Sequence, residues 1–170
     1  DEVVGIDNLN DYYDVRLKQA RLARLEGRQG FVFRKLDIAD RDAVADLFGE
    51  ERPSRIVHLA AQAGVRYGSI NPHAYVDSNV VGFLNILEAC RHGGVGHLLY
   101  ASSRSVYGGV TAMPLSVPHH VDHPLSLYAP PTTAHELPPP SYRPLSGLPP
   151  TRLRLLPLSR PSAPPHLAPH

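Results

Sequence analysis

Over its first hundred residues the chain switches repeatedly between two hydrophobic periods. Val3-Val4-Gly5-Ile6 is a short apolar run closed by Asp7-Asn8, the pattern of a buried strand. Residues 11 to 27 space Val15, Leu17, Ala20, Leu22 and Leu25 among Arg and Lys, with Gly27 as a stop, and so predict a helix. Phe31 to Leu36 returns to a strand pattern that ends at Asp37. Asp40 is placed to cap a short helix carrying Val44, Leu47 and Phe48. Arg55 to Ala60 predicts a third strand and residues 73 to 91 a longer helix with Val80, Phe83, Leu84, Leu87 and Ala89. His97 to Ala101 predicts a fourth strand.

Strands and helices alternating at this spacing form βαβ units, and right-handed crossovers make their sheet parallel. The expected class is α/β, a doubly wound parallel sheet. Ligands of such sheets sit beyond the carboxyl ends of the strands. The residues to read for chemistry are therefore Asp7, Asp37, the stretch from Ala60 to Gly64, and Ser102-Ser103.

Composition changes the picture for the rest of the chain. Of the 18 prolines only Pro53 and Pro72 precede residue 111, whereas fourteen of the sixteen acids and both lysines do. Pro130-Pro131, Pro138-Pro139-Pro140 and Pro149-Pro150 remove amide donors and disfavour helix before them. On composition alone the tail is polyproline-rich and without regular structure.

Charge and cysteine content narrow the function classes. A net charge of +1 with no basic run argues against nucleic acid as the main partner. The single Cys90 excludes an intrachain disulfide and any CxxC metal site, and the ten histidines form no HExxH, so no metal is expected. No apolar run approaches the roughly 20 residues needed to cross a bilayer. The chain opens on Asp1-Glu2 without an initiator Met or signal peptide, so a cytoplasmic fragment is expected.

Several residues at the strand ends could carry chemistry, each with a plainer reading beside it. Asp7 can accept hydrogen bonds from both ribose hydroxyls of an adenosine, which favours NAD because a 2′-phosphate would be repelled; it reads equally as a turn or cap residue. Asp37 has the same ambiguity. The small residues Ala60-Ala61-Gln62-Ala63-Gly64 allow close backbone approach to a cofactor or simply tight helix–strand packing. Asn79 can reach the loop ends from the long helix or be a tolerated mid-helix Asn. Arg66 suits a phosphate or carboxylate, or is an ordinary surface Arg. Ser103 and Tyr128 suit hydride chemistry on a sugar alcohol, the Tyr taking the proton and the Ser holding the oxygen. A phenol of pKa near 10 needs a cation beside it for this, normally a Lys at i+4, and that position is Thr132.

The segments VVGIDNLNDYYDVRLKQARL, VHLAAQAGVRYG, NPHAYVDSNVVGFLNILEACR, YASSRSVYG and VDHPLSLYA together identify a resemblance. They are similar to the extended short-chain dehydrogenase/reductases that act as NAD-dependent epimerases and dehydratases, above all the UDP-glucuronate 4-epimerases. The resemblance covers residues 1 to about 129 and implies a Rossmann-like sheet. It implies that Asp7 and Asn8 meet the adenosine ribose, Asp37 and Ile38 the adenine side, and Leu59, Ala60, Ala61 and Gln62 line the cofactor with Asn79 beside it. Ser103 and Tyr128 would be catalytic, Arg66 would face substrate, and the substrate would be a UDP-sugar inverted at C4 through a 4-keto intermediate. UDP-glucose 4-epimerase is the nearest enzymatic alternative, and the family is often homodimeric.

The same resemblance marks departures. The GxxGxxG loop and first strand are not present, nor is the substrate domain, so the fragment is expected to be inactive. Without a first strand, the Val3–Ile6 and Arg55–Ala60 strands must either pair with each other or expose two edges. Residues 1–128 would form a partial NAD-binding domain, and 129–170 a Pro-rich, degraded and poorly ordered continuation of it. YAPPTTAHEL stands where relatives read roughly YAATKKANEL, and each change is one codon base altered to C, the pattern of base-calling error at the end of a read. The contrasting reading is a non-catalytic remnant whose Pro161 and Pro164, in PxxP spacing, offer an SH3-type ligand.

Overall fold

The structure, a computed structural model, describes residues 2–64, 67–68, 70–103 and 147–155. Its strands are β1 (Val3–Asp7), β2 (Phe31–Lys35), β3 (Arg55–His58), β4 (His97–Ser103) and β5 (Pro150–Leu155). The helices are α1 (Val15–Leu22), α2 (Arg41–Glu51), α3 (His73–Val76) and α4 (Phe83–His92), with a π-helical turn over Asp77–Gly82 joining the last two.

All pairings between these strands are parallel, as the βαβ spacing requires. They form two sheets, β1-β2 and β3-β4-β5. Val3 pairs with Phe31 and Asp7 with Lys35, whereas Arg55 pairs with His97 and His58 with Tyr100. Among the described residues β1 and β3 therefore do not pair with each other, and each presents an open edge. Both still pack on one core, because Ile6 of β1 and Ile56 of β3 contact the same apolar cluster.

That cluster lies between the sheets and the helices α2 and α4. It contains Val44, Phe48, Phe83, Ile86, Leu87, Cys90, Leu98 and Tyr100. In α4, Phe83, Ile86, Leu87 and Cys90 recur at steps of three, one and three, which places them on one buried face. His58 stacks on the Phe83 ring at 5.1 Å, and Phe83 meets Tyr100 at 5.3 Å. The opposite sheet face is open at Val57, which is 62% exposed.

Three elements differ from the sequence expectation. The helix expected over 11–27 is confined to Val15–Leu22, because Asp14 caps it by accepting from the Arg16 amide; tight turns then lead to Gly27 at φ 84°. The long helix of 73–91 is interrupted by its π turn. Residues 150–155, inside the Pro-rich stretch, form β5 beside β4 with Pro150 opposite Leu98. Proline is tolerated there because it is the first residue of the strand, while Thr151 to Leu155 carries the donors.

Candidate active site

Asp7 ends β1, and the chain turns sharply after it. The Leu9 amide donates to Asp7 Oδ1 at 2.6 Å, and Leu9 itself takes a left-handed φ of 52°. A branched side chain disfavours that conformation by roughly 1–2 kcal/mol, so the turn is held by its hydrogen bonds. The Asn10 amide donates to Asn8 Oδ1, and Lys18 reaches back from α1 to Asn10 Oδ1 at 2.8 Å and Asp7 Oδ1 at 3.5 Å. Lys18 also lies over the Tyr13 ring and its side chain is only 9% exposed. Among the described residues Asp7 Oδ2 carries no hydrogen bond, and the Asp7 side chain is 48% exposed.

Asp37 follows β2 and joins this turn. Its Oδ1 accepts from the Ala39 amide, and its Oδ2 accepts from Asn8 Nδ2 at 2.9 Å. Ile38 is 6% exposed and its side chain belongs to the core, so the sequence expectation of an adenine-side contact can concern only its backbone. Asn85 of α4 donates to the carbonyls of Ile38 and Ala39 and fixes that segment.

Beyond β3, Leu59, Ala60 and Ala61 are exposed, whereas Gln62 is buried. The Gln62 amide donates to Asn79 Oδ1 at 2.7 Å, and Asn79 Nδ2 donates to the Gln62 carbonyl at 3.0 Å. Asn79, expected beside a cofactor, thus uses its carboxamide on the loop backbone. Tyr75 donates its hydroxyl to the carbonyl of Gly64. Gly64 has a φ of 92°, and the Tyr12 hydroxyl lies where a Cβ would stand, so only glycine fits. Tyr12 also packs on Tyr67 at 4.7 Å, which brings the loops after β1 and β3 together. Burial, and secondarily the Tyr67 phenol, raises the Tyr12 pKa above its ordinary value.

The carboxyl ends of β1, β2 and β3 therefore collect Asp7, Asn8, Asp37 and the 59–62 segment. Ser103 ends β4 by its backbone, with Leu155 as its partner in β5. Arg66, Tyr128 and Thr132 lie outside the described residues. Among the described residues no group of three or more His, Cys, Asp or Glu could hold a metal, and no helix is long and apolar enough to cross a membrane. Sequence reasoning missed Lys18, Tyr75 and Asn85, all single polar residues whose partners lie several turns or strands away.

The arrangement suits the adenosine half of a dinucleotide. A carboxylate oxygen without a partner at the end of β1 could accept hydrogen bonds from ribose hydroxyls, a second carboxylate follows β2, and the exposed Leu59, Ala60 and Ala61 follow β3. The negative charge disfavours a 2′-phosphate.

The chain is similar to proteins of one known family. Residues 1–159 match the model of the NAD dependent epimerase/dehydratase family. Protein CapI of Staphylococcus aureus is 46% identical over 98% of this chain and 49% of its own length. UDP-glucuronate 4-epimerase 4 of Arabidopsis thaliana is 43% identical over 99% of the chain and 38% of its own. The crystal structure of UDP-glucuronic acid 4-epimerase from Bacillus cereus, in complex with UDP-glucuronic acid and NAD, superimposes with a TM-score of 0.80 at 28% identity. That match covers 90% of this chain and 48% of the other. The chain spans about half the length of the curated relatives it matches first.

Proposed function

The chain belongs to the NAD dependent epimerase/dehydratase family, and on that premise we propose that it is the cofactor-binding part of an enzyme that inverts C4 of UDP-glucuronate. The observation that carries the reading is the bond from Asn8 to Asp37 across the ends of β1 and β2, beside a half-exposed Asp7 carboxylate whose Oδ2 has no hydrogen-bond partner among the described residues. The residues present fit NAD: Asp7 and Asn8 hold the adenosine ribose, Asp37 and the Ile38 backbone line the adenine side, and Leu59, Ala60, Ala61 and Gln62 lie along the dinucleotide. Bound NAD supplies the hydride acceptor for oxidation at C4 and the donor for reduction of the 4-keto sugar.

This chain's residues position and move protons around that exchange. Ser103, at the end of β4, holds the substrate oxygen, and Tyr128 takes the C4 hydroxyl proton and returns it. Arg66 is suited to the carboxylate that distinguishes glucuronate from glucose. The segment after Ser103 reads Arg104-Ser105-Val106, without the acid that related dehydratases and decarboxylases carry there, which favours epimerisation. Thr132 stands where the family pattern has a Lys four residues after that Tyr, so turnover by this chain is weak or nil.

The experiment is a substrate comparison by the enzyme that contains these residues. With NAD present, anion-exchange chromatography should reveal UDP-galacturonate forming from UDP-glucuronate. Conversion of UDP-glucose in preference to UDP-glucuronate overturns the choice of sugar.

A further inference from the structure

We propose that Asn79 and Tyr75 are positioning residues that together set the backbone conformation of the 60–64 loop. The proposal rests on the reading of that loop as part of the NAD site. Both side chains are 1% exposed and they lie four residues apart, one on α3 and one within the π turn.

Asn79 meets Gln62 as a neighbouring strand would. Its oxygen accepts from the Gln62 amide at 2.7 Å and its nitrogen donates to the Gln62 carbonyl at 3.0 Å. Only a carboxamide offers a donor and an acceptor side by side without charge, and a charge here would be buried. The Tyr75 hydroxyl donates its one proton to the Gly64 carbonyl, with the Ala63 carbonyl farther off at 3.4 Å. One helix face thus holds the loop at Gln62 and Gly64.

The π turn gives this arrangement a reason. An i→i+5 turn inserts an extra residue into the helix and re-aims the side chains that follow, and such turns gather at functional sites. Here it spans Asp77–Gly82 and contains Asn79. Gly82 closes the turn where a Cβ would meet Ile38 Cγ1 at 2.6 Å, so the same turn also seats against the segment after β2. Leu59 to Ala61 are left exposed at the carboxyl end of β3 by a loop whose next residues are anchored.

Site-resolved hydrogen exchange tests the clamp, with NAD titration as a separate arm. In Asn79→Ala the Gln62 amide should exchange about tenfold faster or more, the factor one buried hydrogen bond is worth. The Leu87 and Leu98 amides should keep their rates. Tyr75→Phe, which preserves the ring, should weaken NAD binding several-fold without altering core exchange. Uniform acceleration at Gln62, Leu87 and Leu98 would show a general stability role and overturn the proposal, as would an unchanged Gln62 rate. If the parent chain binds no NAD, the cofactor reading fails, while the exchange result still decides the clamp.

Discussion

Asn8 donates its side-chain amide to Asp37 at 2.9 Å, joining the ends of β1 and β2 across 29 residues of sequence. The same Asn8 accepts from the Asn10 amide, so one side chain orders the turn behind Asp7 and fixes the second carboxylate. Asn8→Ala should cost only about 0.5–1.5 kcal/mol in urea denaturation, because the pair is exposed. It should weaken NAD binding several-fold in calorimetric titration, because Asp7 and Asp37 lose their common support.

Gly82 and Gly49 should respond in opposite directions to the same substitution. A Cβ at Gly82 meets Ile38 Cγ1 at 2.6 Å inside the core, whereas a Cβ at Gly49 on α2 meets nothing within 4 Å. Gly82→Ala is expected to destabilise by about 1–3 kcal/mol through overpacking. Gly49→Ala is expected to stabilise by about 0.5–1 kcal/mol through helix propensity. Chemical denaturation midpoints of the two variants against the parent check both signs.

Cys90 should be inert in the folded chain. Burial pushes its thiol up to about 12, from an ordinary value of 9.0. The unfolded chain ionises first, so the stability that the protonated thiol provides is complete below about pH 9. It is lost progressively as pH rises toward 12. Thiol reagents at pH 8 should therefore label Cys90 only as fast as the protein opens, and Cys90→Ala should flatten the fall in denaturation midpoint above pH 9.

The open edge of β3 should govern solubility. Val57 is 62% exposed on a strand that pairs on one side only among the described residues. Edge lysines suppress strand-to-strand association. Val57→Lys should slow aggregation seen by light scattering while leaving the unfolding free energy within about 0.5 kcal/mol.

Much of the fold was legible because each strand is an apolar run with a polar stop. Val3–Ile6, Phe31–Leu36, Arg55–Ala60 and His97–Ala101 all coincide with strands, and their common direction follows from the helices between them. The open edges of β1 and β3 were legible as one of two outcomes, since pattern alone cannot decide which strands hydrogen-bond. The strand at Pro150–Leu155 was hidden by composition, because only pairing with β4 tells a TRLRL strand from a proline-rich tail. Asp7, Asp37 and the 60–64 loop could be placed at strand ends from spacing. Lys18, Tyr75 and Asn85 could not, because a lone polar side chain gains its role from a partner brought near by folding. The π turn was equally invisible, since Asp77 to Gly82 carries only the adjacent apolar Val80 and Val81, too few to reveal a change of period.

The central claim is that Asp7 accepts the ribose of NAD, and paired titrations of NAD and NADP test it most directly. The parent chain should bind NAD about tenfold tighter than NADP or better. In Asp7→Ala, NAD affinity should fall by about ten- to a hundredfold, as expected for hydrogen bonds to a charged acceptor, and the preference over NADP should vanish. Equal binding of NAD and NADP by the parent chain, or NAD binding untouched by Asp7→Ala, would contradict it.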